Sequence, residues 1–151
     1  MKTQSYSQKR FDDLLSRLRA RKHRITPQRI ALLRLLSEST EHPSASAIFA
    51  DIKKRYPSTS LATVYKTLSV LKEMGEVMEL GFGEGDNRYD GKRPFPHPHL
   101  VCLRCRRIVD LDIGSMKNLE REAARGSGFK ILGHRLDFYG VCPECRSRAG
   151  S

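Results

Sequence analysis

The 151-residue sequence predicts an α+β protein with a helical N-terminal part and a C-terminal part of short strands. Three observations support this prediction. Apolar residues recur at helical spacing through the first 75 residues, shorter apolar runs bounded by turn residues follow, and a segment rich in glycine and proline separates the two parts. We expect a first domain over 1–90, a hinge over 91–96 and a second domain over 97–151.

Four helices are predicted in the first part. The second and third have clear starts, because Thr26 and Ser44 can accept a hydrogen bond from a free N–H of the first turn and Pro27 suits the first helical position. The predicted helices are 8–22, a segment beginning at Pro27, a segment ending at Arg55 and a segment from after Ser60 to Gly75. The apolar faces of the first three are formed by Phe11, Leu14, Leu15 and Leu18, by Leu32, Leu33, Leu35 and Leu36, and by Ile48, Phe49 and Ile52.

The fourth helix has an apolar stripe and a polar surface. The stripe consists of Leu61, Val64, Leu68 and Leu71. The remaining surface carries Ala62, Lys66 and Ser69, flanked by Thr63 and Tyr65. Small polar groups with one cation and one aromatic ring suit the major groove of DNA, although an ordinary amphipathic surface helix has the same pattern.

A β-hairpin is predicted after the fourth helix. The segment 77–82 alternates partially, with Met78, Leu80 and Phe82 on one face, turn residues occupy 83–87, and 88–90 forms the returning strand. Three helices followed by a hairpin is the element order of a winged helix.

The second part has a different pattern. Short strands are predicted at 100–103 and 108–111, a helix at 115–125, and one long or two short strands within 129–141.

Charge is distributed unevenly between the two parts. The net charge is +11, and the first 75 residues hold 15 basic and 6 acidic side chains, against 13 and 11 in the rest. A basic field attracts polyanions, nucleic acid first, although a solvated surface is equally compatible with charge alone. No apolar run approaches the ~20 residues that span a bilayer, and the N-terminus lacks the apolar segment of a signal peptide. We therefore expect a cytoplasmic protein without membrane association.

Four cysteines form two CxxC pairs, Cys102 with Cys105 and Cys142 with Cys145. Stable disulfides are uncommon in the cytoplasm, and two pairs of thiolates suit a closed tetrahedral zinc site. The sequence favours structural zinc over redox disulfides or unliganded buried thiols, both of which stay open.

Five segments together resemble the ferric uptake regulator (Fur) family of bacterial metal-dependent repressors. They are RITPQR at 24–29, ATVYKTL at 62–68, HPHLVCLRC at 97–105, IVD at 108–110 and YGVCPEC at 139–145. The resemblance implies an N-terminal winged helix-turn-helix domain that binds a double-stranded DNA operator. It also implies a C-terminal α/β domain that forms a homodimer and holds structural Zn²⁺ with the four cysteines.

Within the family, the chain is most similar to the peroxide-responsive (PerR) branch. The resemblance implies a regulatory Fe²⁺ or Mn²⁺ bound by His42, Asp90, His97, His99 and Asp110. Iron-uptake members usually carry glutamate at the two acidic positions. In the peroxide branch, bound Fe(II) reacts with hydrogen peroxide and ligand histidines are oxidised, here His42 and His97. The protein then leaves DNA, so this is stoichiometric sensing and the chain is not expected to be an enzyme.

Each of these five residues has a simpler interpretation when taken singly. His42 suits a polar loop, Asp90 a turn and Asp110 an exposed strand edge. His97 and His99 alternate on an extended segment, so their side chains share one face. Three imidazoles and two carboxylates together can hold Fe(II), Mn(II) or Zn(II). A cation bound by all five would clamp the two domains and select a dimer whose recognition helices fit two half-sites.

The DNA contacts that we expect are Arg24, Thr63, Tyr65 and Lys66. By resemblance, Tyr65 packs near a thymine methyl, Arg24 can enter a minor groove, and Lys66 can reach a phosphate or a guanine edge.

The chain departs from the family pattern at several positions. Pro96 and Pro98 stand where many iron-uptake members have ligands of a further metal site, so we interpret His134, which matches another ligand of that site, as structural. Arg106 replaces the glycine usual after the first CxxC.

Two other functions compete with peroxide sensing. One is an iron-uptake or other metal-level regulator of the same family. The other is a zinc-dependent hydrolase or redox enzyme, which is disfavoured because the cysteines fill the zinc shell and no activated nucleophile lies outside the ligand cluster.

Overall fold

The structure, a computed structural model, describes residues 5–81, 87–114 and 116–149. The chain divides into two compact units, the first ending at Pro94 and the second beginning at Phe95. Among the described residues, no helix is both long and apolar enough to cross a membrane.

Four helices form the core of the first unit: α1 (Tyr6–Ala20), α2 (Pro27–Glu38), α3 (Ala45–Arg55) and α4 (Leu61–Glu73). The caps of α2 and α3 are confirmed, since Thr26 accepts a hydrogen bond from the Arg29 N–H and Ser44 from the Ala47 N–H. The boundaries predicted for α1 were wrong by two residues at each end. The helix begins early because Ser5 caps it by accepting from the Gln8 N–H.

The apolar face of α4 is confirmed in part. Val64, Leu68 and Leu71 are buried in the core with residues of the other three helices. Leu61 remains 38% exposed, because the first residue of α4 extends beyond the core. The predicted end is also confirmed, since Gly75 has a left-handed φ of 71° that lets the chain leave the helix.

A two-stranded antiparallel hairpin completes the winged helix of the first unit. Strand β1 (Met78–Leu80) pairs with β2 (Arg88–Asp90), so that Glu79 lies opposite Tyr89. A bridge between Ser44 and Arg88 joins the hairpin to the residue that caps α3. Phe82 and most of the predicted turn lie outside the described residues.

The second unit contains a three-stranded sheet of order β4-β3-β5. Strand β3 (His99–Cys102) is central, β4 (Ile108–Asp110) pairs with it antiparallel, and β5 (Asp137–Gly140) pairs with it parallel. Strand β3, predicted at 100–103, lies one residue earlier at both ends. Strand β4, predicted at 108–111, ends one residue earlier. Only 137–140 of the segment 129–141 forms a strand.

Two helices accompany this sheet. Helix α5 (Lys117–Ser127) runs past the predicted end at 125 and stops at Gly128, whose φ is 72°. Helix α6 (Pro143–Arg148) was not predicted, because six residues are too few for a helical repeat of apolar positions to stand out.

The register of the sheet places three polar side chains beside one another on one face and leaves apolar side chains exposed on the other. His99 lies between Asp110 of β4 and Asp137 of β5, so the three side chains share a face. Leu100 pairs with Val109 and with Phe138, and these three side chains lie on the opposite face. They are 41%, 46% and 42% exposed. This second face is unusual in leaving large apolar side chains open to solvent within one chain.

Candidate metal centres and nucleic-acid interface

The four cysteines come together where β3 ends and α6 begins. Their sulfur atoms all lie within 4.8 Å of one another, and none is in a disulfide. The sulfurs of Cys105 and Cys142 are 3.8 Å apart, well beyond the about 2 Å of a disulfide bond. A tetrahedral zinc with bonds of about 2.3 Å holds its sulfurs about 3.8 Å apart, so the cluster fits Zn²⁺.

The thiols of Cys102 and Cys145 differ in pKa, each for its own reason. The N–H groups of Cys142 and Cys105 donate to the Cys102 sulfur and lower the pKa of its thiol to about 6. The neighbouring Cys142 sulfur, with burial as a second cause, raises the pKa of the Cys145 thiol to about 12. Four thiolates at this separation repel one another, so full ionisation of the cluster needs a cation among them.

The turn of the first CxxC tolerates the arginine that replaces the usual glycine. Arg106 adopts a left-handed φ of 63°, and its N–H donates to the Cys102 carbonyl at 2.9 Å. Next to it, Arg107 forms a two-point ion pair with Glu144 of α6, at 2.9 and 3.0 Å. This pair ties one CxxC turn to the other. It also holds the pKa of the Glu144 carboxyl below its usual value, through the hydrogen bond and the charge of Arg107.

In the first unit, one predicted histidine–aspartate pair is formed. His42 Nε2 lies 3.1 Å from Asp90 Oδ2, and both side chains are buried. The other Asp90 oxygen accepts from the N–H groups of Lys92 and Arg93, at 3.1 and 2.9 Å. His42 has a left-handed φ of 53°, and its carbonyl accepts from Arg88. Asp90 is therefore held by its own loop, with one oxygen directed at the imidazole.

In the second unit, two predicted histidines meet the second predicted aspartate. Asp110 Oδ1 lies 3.0 Å from His97 Nε2 and 3.6 Å from His99 Nε2. Both histidines are buried, and their ring centroids are 4.4 Å apart. Each unit thus assembles its own share of the predicted ligand set around one carboxylate. The donors are imidazole nitrogens and carboxylate oxygens, a set suited to Fe(II), Mn(II) or Zn(II).

Asp137 is a member of this neighbourhood that sequence reasoning missed. Its Oδ1 lies 3.3 Å from His99 Nδ1, on the side of the ring opposite Asp110. The only available signal, alternation within 137–140, does not reveal the parallel pairing with β3 that brings the two residues together.

His134 has a single carboxylate neighbour among the described contacts. Its Nδ1 lies 2.6 Å from Glu120 Oε1 of α5. With Pro96 and Pro98 offering no side-chain ligand, the described residues place no third metal-ligating group of the searched types beside this pair.

The predicted DNA contacts lie on two segments of the first unit. Tyr65 of α4 is 43% exposed, and Lys66 beside it is also exposed. Arg24 is exposed just before α2, and its carbonyl accepts from Arg29 at 2.7 Å. Thr63 is half-buried, and its hydroxyl lies 2.9 Å from that of Ser60, the cap of α4, so it has a local role besides any DNA contact.

A polar network links α4 to the hairpin at this surface. The Glu79 carboxylate of β1 accepts from Lys72, from Asn87 at 2.7 Å and from Tyr89 at 3.2 Å. The hydrogen bonds from Lys72 and Asn87 lower the pKa of Glu79. The groove beside this network is lined by Tyr65 and Ser69 as well. Sequence reasoning did not single out Glu79.

The first unit is a winged helix, and the second is a small sheet with a four-cysteine cluster. Together with the buried histidine–aspartate groups, these features define a two-unit, metal-binding type of DNA-binding protein. A family model described as the ferric uptake regulator family matches residues 20–139. The chain belongs to the ferric uptake regulator family.

Similar proteins refine this assignment. The chain is 42% identical to the "Peroxide operon regulator" of Bacillus subtilis (strain 168) over 125 residues, 83% of this chain and 86% of the relative. It is 37% identical to the "Peroxide-responsive repressor PerR" of Staphylococcus aureus (strain USA300) over 138 residues, 91% and 93% of the two chains. The solved Campylobacter jejuni peroxide stress regulator has a TM-score of 0.69 at 34% identity, with 87% of this chain and 98% of that chain covered. The predicted family is thereby confirmed, as is the likeness to its peroxide-responsive members.

Proposed function

We propose that the protein is a cytoplasmic, homodimeric transcriptional repressor that binds its DNA operator when loaded with metal and leaves it after reaction with hydrogen peroxide. The observation that carries this proposal is the pairing of buried histidines with an aspartate in each unit, Asp90 in the first and Asp110 in the second. Relatives named for their response to peroxide support it.

The first metal in this proposal is structural Zn²⁺ on Cys102, Cys105, Cys142 and Cys145. The sulfur separations suit tetrahedral zinc, and four thiolates leave no open position for a substrate. A closed site of this kind holds the two CxxC turns together and carries out no chemistry.

The second metal is a regulatory Fe²⁺ or Mn²⁺, for which we propose all five predicted ligands. His42 and Asp90 belong to the first unit, and His97, His99 and Asp110 to the second. A cation shared by both groups would link the DNA-binding unit to the unit that forms the dimer. Metal would thereby favour one arrangement of the two DNA-binding units over others.

The peroxide response follows from the chemistry of the ligands. When bound, Fe(II) would supply the one-electron chemistry that cleaves the O–O bond of hydrogen peroxide. In the net change, a ring C–H of His42 or His97 becomes C–OH with one peroxide oxygen, and the other oxygen leaves as water. The ring provides both electrons that reduce the peroxide, so no further reductant is consumed. The oxidised ring is a poorer donor, so the site is lost after a single event. Such a protein senses peroxide stoichiometrically and is not an enzyme.

The DNA partner is proposed from the first unit. Tyr65 and Lys66 lie on the exposed side of α4, the helix that a winged helix presents to the major groove. Most of the excess positive charge of the chain lies in the same unit, among the first 75 residues. This charge supplies the sequence-independent part of DNA affinity.

The second partner is another copy of the chain. The exposed apolar face of the sheet, formed by Leu100, Val109 and Phe138, continues into a groove bordered by Val141 and Pro143. An exposed apolar patch of this type suits a two-fold dimer, in which the same patch of both copies meets. Two paired copies would present two α4 helices to the two halves of one operator.

Mass spectrometry of the Fe(II)-loaded protein after peroxide exposure tests the proposed signal. We expect a gain of one oxygen atom on His42 or His97, while the Mn(II)-loaded protein, treated in parallel, stays unmodified. Unmodified histidines in both samples, with DNA binding that still depends on metal, would instead support a metal-level regulator of the same family.

A further inference from the structure

We propose that Asp137 is a positioning residue for the regulatory metal, holding His99 so that Nε2 of its ring faces the ligand site. This inference rests on the proposed function, because it assigns His99 as a ligand. Asp137 itself would not touch the metal. It would act through the imidazole, as carboxylates behind metal-bound histidines do in other proteins.

The backbone of the sheet sets this arrangement. His99 and Asp137 are direct neighbours in the parallel register of β3 and β5, and the His99 N–H donates to the Leu136 carbonyl at 3.1 Å. The Asp137 carboxylate then lies 3.3 Å from His99 Nδ1, while Asp110 lies 3.6 Å from Nε2. Because the carboxylates lie on opposite sides of a fully buried ring, a proton on Nδ1 toward Asp137 leaves the Nε2 lone pair for a metal.

Arg135 fixes the orientation of the carboxylate. Its Nε donates to Asp137 Oδ2 at 2.6 Å, which leaves Oδ1 for the imidazole. The Asp137 side chain is only 8% exposed, whereas that of Arg135 is 39% exposed.

His97 provides an internal comparison. Its Nδ1 lies 2.7 Å from the Phe95 carbonyl, and its Nε2 faces Asp110 at 3.0 Å. The two histidines are therefore turned the same way, one by a neutral backbone acceptor and the other by a carboxylate. A carboxylate behind the ring makes it a stronger donor, so changes at Asp137 should affect His99 and leave His97 as it is.

Mn(II) affinity of the full-length, zinc-replete protein tests the energetic part of this inference. Removing the carboxylate in Asp137→Ala should weaken Mn(II) binding by roughly 10- to 100-fold, the usual effect of losing such a partner. Asp137→Asn should fall between this variant and the parent, because its amide oxygen still accepts a hydrogen bond but carries no charge. Asp112→Ala, which removes an exposed carboxylate from the same unit, is the control and should bind as the parent does.

A spectroscopic measurement distinguishes positioning from general damage. In the Co(II)-loaded parent, we expect separate hyperfine-shifted, exchangeable N–H proton signals for His97 and His99. Asp137→Ala should make the His99 signal exchange faster or disappear and keep the His97 signal. Unchanged His99 signal and Mn(II) affinity in this variant would overturn the inference, with the proposed function intact. A His99→Ala variant that binds Mn(II) as tightly as the parent would overturn both, because His99 would then not be a ligand.

Discussion

Glu76, the residue that leads from α4 into the hairpin, is tied to helix α1 through one buried carboxylate. It pairs with Arg10 at 2.9 Å and with Arg17 at 2.7 Å, both from α1. Arg10 also donates to the carbonyls of Glu76 and Gly91, each at 2.7 Å. The Arg10 and Glu76 side chains are almost fully buried, so the loss of either one leaves the other charge in a poor environment.

Glu76→Gln should therefore lower the free energy of unfolding by about 3 kcal/mol, because the Arg10 guanidinium stays buried without its counter-charge. Chemical denaturation followed by circular dichroism measures this change. Glu38→Gln is the control, since Glu38 pairs with Arg34 at 3.8 Å on the surface and should contribute less than about 1 kcal/mol. Equal stabilities of the two variants would contradict a structural role for the buried pair.

At the residue scale, the candidate metal ligands were predicted more readily than the residues that hold other side chains in place. The CxxC spacing identified the sulfur cluster, and paired histidines on an extended segment identified His97 and His99 as neighbours. Glu76 and Asp137 gave no comparable signal, because their roles depend on partners 66 and 38 residues away in the chain. Burial of a lone acid is set by tertiary packing, which local sequence pattern does not encode.

Helix α4 and the hairpin act as one surface through the Glu79 network. Lys72 of α4 pairs with Glu79 of β1, and Tyr89 of β2 donates to the same carboxylate. Tyr65 and Lys66 of the same helix are exposed to solvent in the first unit. This division separates residues that hold the helix from residues that are available to DNA.

Lys66→Ala should reduce the slope of log affinity against log salt concentration by about 1, because one phosphate contact and its counterion release are lost. Fluorescence anisotropy with a labelled operator fragment over a salt series measures the slope. Lys54→Ala removes another exposed cation, near the end of α3, that we do not assign to DNA, and its slope should match that of the parent. A slope unaltered by Lys66→Ala would show that this lysine does not contact phosphate.

The starts of α2 and α3 were predicted correctly, whereas both ends of α1 were displaced by two residues. Caps are local, so Thr26 and Ser44 identified the beginnings of α2 and α3. Helix α5 passed through Gly126 although glycine weakens helices, because Gly128 supplies the left-handed stop. The length of β5 depends on its pairing with β3, a contact between segments 38 residues apart that periodicity does not report.

At the scale of the whole molecule, the apolar sheet face should hold two copies together. Phe138→Glu places a charge on that face and should convert the dimer to monomer at concentrations where the parent is dimeric, because burying the new carboxylate is costly. Sedimentation velocity measures the distribution of species. Ala50→Glu introduces the same side chain on the exposed side of α3 and should remain dimeric. If Phe138→Glu sediments like the parent, this face is not the interface.

The two units divide the work of the proposed repressor. The first carries most of the net charge and the exposed side of α4, and the second carries the cysteine cluster and the exposed apolar face. The histidine–aspartate groups are divided between them, with two proposed ligands in the first unit and three in the second. Metal binding would therefore control DNA binding only if all five residues bind the same ion.

The central claim is tested most directly by the affinity of the protein for a DNA fragment selected on its Mn(II)-loaded form. This affinity is measured with Fe(II) and with Mn(II), before and after hydrogen peroxide. Tight binding is predicted with either metal, little binding after metal removal, and loss of binding after peroxide only in the Fe(II) sample. Equal affinity of the metal-free and Mn(II)-loaded proteins would contradict metal dependence. Persistent binding of the Fe(II) protein after peroxide would contradict peroxide sensing.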